Sequence, residues 1–145
     1  MNLREDHIIR IKSSIEQDGE VNRIELMTRG HFTRRGNSFY ISYQETETTG
    51  YEGCTTTLKV SDDSSKVTML RYGTANTQLT IERGRRHVCH YETNYGSMTM
   101  GVTADEIACK LTEKGGTVAF SYLLDGGSAD VLSKNALEIT VTHIN

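Results

Sequence analysis

Tyr43, Glu45, Arg71 and His90 are the side chains through which this sequence most directly offers chemistry. Each continues a run of alternating residues, and positions i, i+2 and i+4 of a strand share a face. Glu45 follows Phe39, Ile41 and Tyr43; Arg71 follows Val67 and Met69; His90 follows Val88. If those faces point inward, a phenol, a carboxylate, a guanidinium and an imidazole enter an otherwise apolar interior. An uncompensated buried charge is costly, so Arg71 and Glu45 then need each other, another polar partner or a bound guest. The four together predict the polar end of a cavity that grips a small anionic or amphipathic molecule. The competing reading leaves Arg71 and Glu45 solvated at strand ends, because charged residues are almost never buried unpaired.

Other chemistries find less support. His87-Val88-Cys89-His90 invites a metal reading, but His87 and His90 of a strand point to opposite faces, and no second ligand pair such as CxxC or HxxxH occurs. No metal and no cofactor is therefore expected. Tyr95-Gly96-Ser97-Met98-Thr99 lacks the Gly-x-Ser-x-Gly elbow of a nucleophilic serine, and Cys89 faces away from its neighbour His90. Carboxylate pairs such as Glu45 with Glu47, or Glu82 with Glu92, carry little weight among 19 acidic residues. Gly115-Gly116 and Gly126-Gly127 read as turns, and neither a Walker A nor a dinucleotide fingerprint is present.

The elements that position these residues are strands. The chain has 145 residues, including 19 Thr, 10 Ile, 8 Val, 7 Tyr and 3 Phe, a bias toward β-structure. That length fits one domain, residues 1–145, burying about 70% of the surface its unfolded chain exposes. Alternation recurs at Ile9-Ile11-Ile15, Ile24-Leu26-Thr28, Phe39-Ile41-Tyr43, Thr56-Leu58-Val60, Val67-Met69, Leu79-Ile81, Met98-Met100-Val102, Ile107-Cys109-Leu111, Val118-Phe120-Tyr122 and Leu137-Ile139-Val141. These predict roughly ten strands, separated by turn signals such as Gln17-Asp18-Gly19, Asp62-Asp63-Ser64, Asn94-Tyr95-Gly96 and Asp125-Gly126-Gly127. A short helical turn competes only at Val102–Leu111, where Thr103-Ala104-Asp105-Glu106 resembles an N-cap with an acidic first turn. Short linkers favour sequential antiparallel pairing, and closure removes the exposed edges that a ten-strand meander would leave. An all-β, antiparallel up-and-down barrel of about eight to ten strands follows, its interior either filled or hollow enough for one small ligand.

Four segments in order carry a resemblance. Ile24-Glu25-Leu26-Met27-Thr28-Arg29-Gly30, Tyr40-Ile41-Ser42-Tyr43-Gln44-Glu45, Leu70-Arg71-Tyr72-Gly73 and Tyr91-Glu92-Thr93-Asn94-Tyr95-Gly96, with Asn135-Ala136-Leu137-Glu138-Ile139 after them, resemble the uncharacterised bacterial YwiB-like family. The resemblance implies a calycin-type barrel, related in shape to lipocalins and fatty-acid-binding proteins, and no established activity. The chain has no Trp, so it lacks the Gly-x-Trp signature of secreted lipocalins.

A formal charge of −3 argues against a surface built for phosphate backbones, so nucleic acid is disfavoured as a partner. Arg34-Arg35 and Arg83-Gly84-Arg85-Arg86-His87 keep a minor reading open, an interaction platform for protein or RNA on Arg-rich turns with Phe39, Tyr40, Tyr72, Tyr91 and Tyr95 as stacking surfaces. Three cysteines without paired spacing suit a reducing compartment. No apolar run approaches the ~20 residues of a membrane span, and the segment Met1–Asp6 carries three charges, so a cytoplasmic protein without membrane attachment is expected. The oligomeric state stays open. The favoured function is non-enzymatic binding of a small molecule in the barrel. The enzyme alternative uses the same pocket, with His90 or Glu45 transferring a proton and Arg71 stabilising negative charge.

Overall fold

A computed structural model describes residues 6–93, 96–127 and 130–144. Ten strands run in order: β1 (His7–Gln17), β2 (Glu20–Arg35), β3 (Ser38–Gln44), β4 (Thr55–Ser61), β5 (Lys66–Tyr72), β6 (Thr77–Glu82), β7 (Arg86–Thr93), β8 (Gly96–Thr112), β9 (Gly115–Asp125) and β10 (Val131–His143). Each pairs antiparallel with its sequence neighbours, and β10 returns to β1 from His7↔His143 to Glu16↔Lys134, closing the barrel. The β1–β2 hairpin shows how local chemistry sets register. A two-residue turn that matches strand twist needs positive φ at both positions, and Asp18 (φ 53) with Gly19 (φ 77) provides it.

The count of ten matches the alternation, but its composition differs. Met98–Val102 and Ile107–Leu111 belong to one strand, β8, while β7 supplies the tenth. The helical turn considered at Val102–Leu111 does not form. Val102 and Ile107 both face the interior although strict alternation would set them on opposite faces; an irregularity in the β8–β9 register between Ala104 and Glu106 absorbs the mismatch. The acidic residue that imitated a helix start is held on the outside of this bulge, where the Ser121 hydroxyl donates to Asp105 at 3.1 Å. The expected turn at Asn94-Tyr95-Gly96 lies in part outside the described residues.

Two ends of the barrel differ. Toward the end where β2, β4, β6 and β8 finish, the interior is filled by Phe32, Phe39, Val60, Val67, Ile81, Leu111, Val118 and Val141, all buried. Phe32 stacks on Phe39 at 5.8 Å, and the His7 ring meets Phe32 edge-on at 5.4 Å. One seam is thin: among the described residues β6 and β7 pair at Thr77↔Tyr91 alone, with a bridge at Glu82↔Arg85. Because β7 pairs β8 only as far as Thr103, the backbone of β8 beyond that point needs other partners on this side. The Arg83 guanidinium donates to the Ile107 carbonyl, and the Ser64 hydroxyl accepts the Cys109 amide at 2.8 Å. Side chains from two turns thus close what the ladder leaves open.

Gly30 marks the closest approach in the wall. A methyl group there would collide with the Ile9 side chain and the Ser42 carbonyl, and the second of these is backbone. Gly30→Ala is expected to lower stability by about 2 kcal/mol, in the range measured for overpacked interiors. Urea denaturation followed by circular dichroism checks this; an unchanged midpoint would show that β2 has room to shift.

Candidate functional site

The opposite end is hollow. A cavity of about 300 Å³ opens there, between the ends of β1, β3, β5 and β9 and the starts of β6, β8 and β10. Its apolar wall includes Ile11, Ile24, Met69, Leu79, Met100 and Leu137. Its polar members include Tyr43, Glu45, Arg71, Tyr122, Ser133 and Asn135.

Glu45 sits one residue past β3, and its amide donates to the Cys54 carbonyl at 2.9 Å, so strand geometry persists and the side chain keeps the inward parity of Ile41 and Tyr43. Arg71 lies on β5 opposite Thr56 of β4. The Arg71 Nη2 donates to Glu45 Oε1 at 3.4 Å, its Nε donates to the Thr56 hydroxyl at 3.2 Å, and that hydroxyl donates onward to Glu45 Oε1 at 2.8 Å. The carboxylate side chain is 1% exposed and the guanidinium side chain 13%. Tyr51, from the segment joining β3 to β4, covers the guanidinium with its ring centroid 3.8 Å from the charged carbon. Glu45 Oε2 is buried and accepts no hydrogen bond among the described residues.

Of the four residues expected to meet, three do. Tyr43, Glu45 and Arg71 line one cavity, whereas His90 lies on the outer surface with its Nδ1 3.1 Å from the Thr99 hydroxyl. His90 does share a face with Val88, but that face points out: Val88 is 60% exposed and Cys89 is buried. The proton-transfer arrangement that paired His90 with Arg71 in a common pocket is therefore not assembled. Ser133 and Asn135 join the site unexpectedly, although both extend the inward parity of Leu137, Ile139 and Val141 backward along β10. Tyr51 had no periodic signal to find, because it follows the 3-10 turn Glu47–Thr49 rather than sitting in a strand.

The remaining motifs are engaged elsewhere. His87 Nε2 lies 2.8 Å from Glu82 Oε1, on the opposite side of β7 from His90, and no group of three or more His, Cys, Asp or Glu is placed to hold a metal among the described residues. Cys54, Cys89 and Cys109 are unbridged. Burial pushes the Cys89 and Cys109 thiols up, while the Thr74 hydroxyl beside Cys54 draws its thiol down. In the two Arg-rich segments, Arg34 near the end of β2 reaches Asp62 at 3.1 Å and Arg86 at the start of β7 grips Asp125 through two nitrogens at 2.6 and 3.0 Å. No helix is long and apolar enough to cross a membrane among the described residues.

Burial raises the Tyr43 and Tyr122 phenols well above the ordinary value of 10.0, with the Glu45 carboxylate adding to the effect at Tyr43. The folded protein thus retains two protons that the unfolded chain releases. Their contribution to stability is complete below pH 10 and is lost as pH climbs beyond it toward the raised values. Tyrosinate absorbance during alkaline titration is expected to show a late phase that coincides with loss of β-structure and is absent from the Tyr43→Phe, Tyr122→Phe double variant. Titration of every phenol near pH 10 with the fold intact would contradict this.

Comparison with known proteins agrees with the architecture. The chain is similar to an uncharacterised β-barrel protein, YwiB, of Bacillus subtilis (strain 168), with 27% identity over 114 residues, covering 79% of this chain and 78% of that one. It superposes on the crystal structure of the ywiB protein from Bacillus subtilis with a TM-score of 0.81 at 23% identity, covering 99% of this chain and 96% of that chain. Residues 9–139 match the family described as DUF1934, a domain of unknown function, and the chain belongs to that family.

Proposed function

We propose that this protein is a cytoplasmic, non-enzymatic binding protein that holds a small amphipathic molecule in the open end of its barrel. The observation that carries this reading is a buried ion pair set at the head of an apolar cavity. Glu45 and Arg71 are enclosed rather than solvated, and Ile11, Ile24, Met69, Leu79, Met100 and Leu137 line the space beside them. A barrel of this strand number has an interior suited to one small ligand. A volume of about 300 Å³ stands at the lower limit of small-molecule sites, which are characteristically apolar with a few placed polar groups. The apolar wall would hold the guest by burial, and Glu45, Arg71 and, across the cavity, Asn135 would orient its polar end.

Catalysis receives no comparable support. Glu45 is tied to Arg71 and Thr56, and the His90 imidazole, the other proton-transfer candidate, lies outside. Three unbridged cysteines agree with a reducing compartment. An Arg-rich interaction platform is also less favoured, because Arg34 and Arg86 are held by neighbouring carboxylates.

Saturation-transfer NMR with 1-octanol as probe tests the binding reading. Transfer from protein to the alkyl chain is expected for the wild type and is expected to vanish in Leu137→Trp, whose indole would fill the cavity while the circular dichroism spectrum stays that of a β-barrel. Equal transfer in both proteins, or none in the wild type, would overturn it.

A further inference from the structure

The two ionised groups that line the cavity are of opposite sign and bound to each other, so its head carries no net charge. This has a consequence for the guest, and the inference that follows rests on the binding reading above. A guest carboxylate approaching Arg71 would also come near the Glu45 carboxylate, which Nη2 of the guanidinium already contacts at 3.4 Å. Two carboxylates competing for one partner in an enclosed space oppose each other's ionisation. The guanidinium is further committed to Thr56 through Nε and to the face of Tyr51. Glu45 Oε2 is buried and accepts no hydrogen bond among the described residues, although the Tyr43 phenol stands close to the carboxylate, and a buried acceptor left without a partner is costly. Asn135 adds an amide on the facing strand, its Nδ2 turned to the Ser133 hydroxyl at 3.0 Å.

We propose that the polar end of the guest is uncharged and carries an N–H or O–H donor for Glu45 Oε2, as a primary amide, a urea or an alcohol does, and that the barrel discriminates against fatty carboxylates. Oε2 is shielded from water, so the side chains around it yield slightly as the donor enters. Tyr51 is the natural one to move, since it lies on a connecting segment and is partly exposed.

Isothermal titration of the wild type with octanamide and with octanoate, identical in chain length, tests the inference at a pH where the acid is ionised. Octanamide is expected to bind at least about tenfold more tightly, a difference of 1.4 kcal/mol. In Glu45→Gln the opposing charge is gone and the amide side chain brings its own donor, so the preference is expected to shrink toward unity through a gain for octanoate. Octanoate binding as tightly as octanamide to the wild type would overturn the headgroup assignment while leaving interior binding in place. Failure of both compounds to bind would overturn interior binding as well.

Discussion

The ion pair between Glu45 and Arg71 sets the character of the open end of this barrel. Enclosing two charges is unfavourable unless their attraction and further hydrogen bonds offset the loss of water. Here the offset comes from geometry that only the closed sheet provides. Arg71 and Thr56 face each other across the β4–β5 ladder, Glu45 continues β3 alongside, and one hydroxyl both accepts from the guanidinium and donates to the carboxylate. Removal of either charged partner would leave the other stranded among Tyr43, Met69 and Leu79. The pair therefore resists replacement piece by piece, and it prevents this end of the barrel from being filled by hydrocarbon as the opposite end is.

That asymmetry divides the work along the barrel axis. Stacked Phe32 and Phe39, with the aliphatic residues around them, make a dry end that holds the fold together. The open end trades such packing for a cavity, and its polar groups are positioned by strands whose other halves are anchored in the filled end. Tyr43 and Ile41 occupy adjacent inward positions on one strand, as do Arg71 and Met69, so each polar group is held by an apolar neighbour two residues away. The thin seam between β6 and β7 falls where Arg83 and Ser64 tie the turns to β8, so closure at that point depends on side chains as well as on backbone pairing.

Much of this was legible in the alternation alone. Parity placed Glu45 on the face of Tyr43 and Arg71 on the face of Met69, and turn chemistry at Asp18-Gly19 set a hairpin. Parity is silent, however, about which face is inside. Val88 is apolar and marked its face as interior, yet the inward residue of β7 is Cys89, and His90 went out with Val88. Strict alternation also fails at a bulge, which is why β8 looked like two strands or the start of a helix around Asp105. Tyr51 was invisible for a third reason: its position over Arg71 comes from the tertiary arrangement of a connecting segment, which has no period to read.

The polar head of the cavity requires Glu45 and Arg71 to act as one buried unit. A double-mutant cycle with Glu45→Gln and Arg71→Met, measured by urea unfolding of the two single variants and the double variant, addresses it most directly. Each single change is expected to destabilise strongly and the double variant to recover part of the loss, giving a coupling energy of about 2 kcal/mol or more. Additive effects, agreeing within about 0.5 kcal/mol, would mean that the two side chains do not depend on each other and that the polar head of the cavity is not built on their contact.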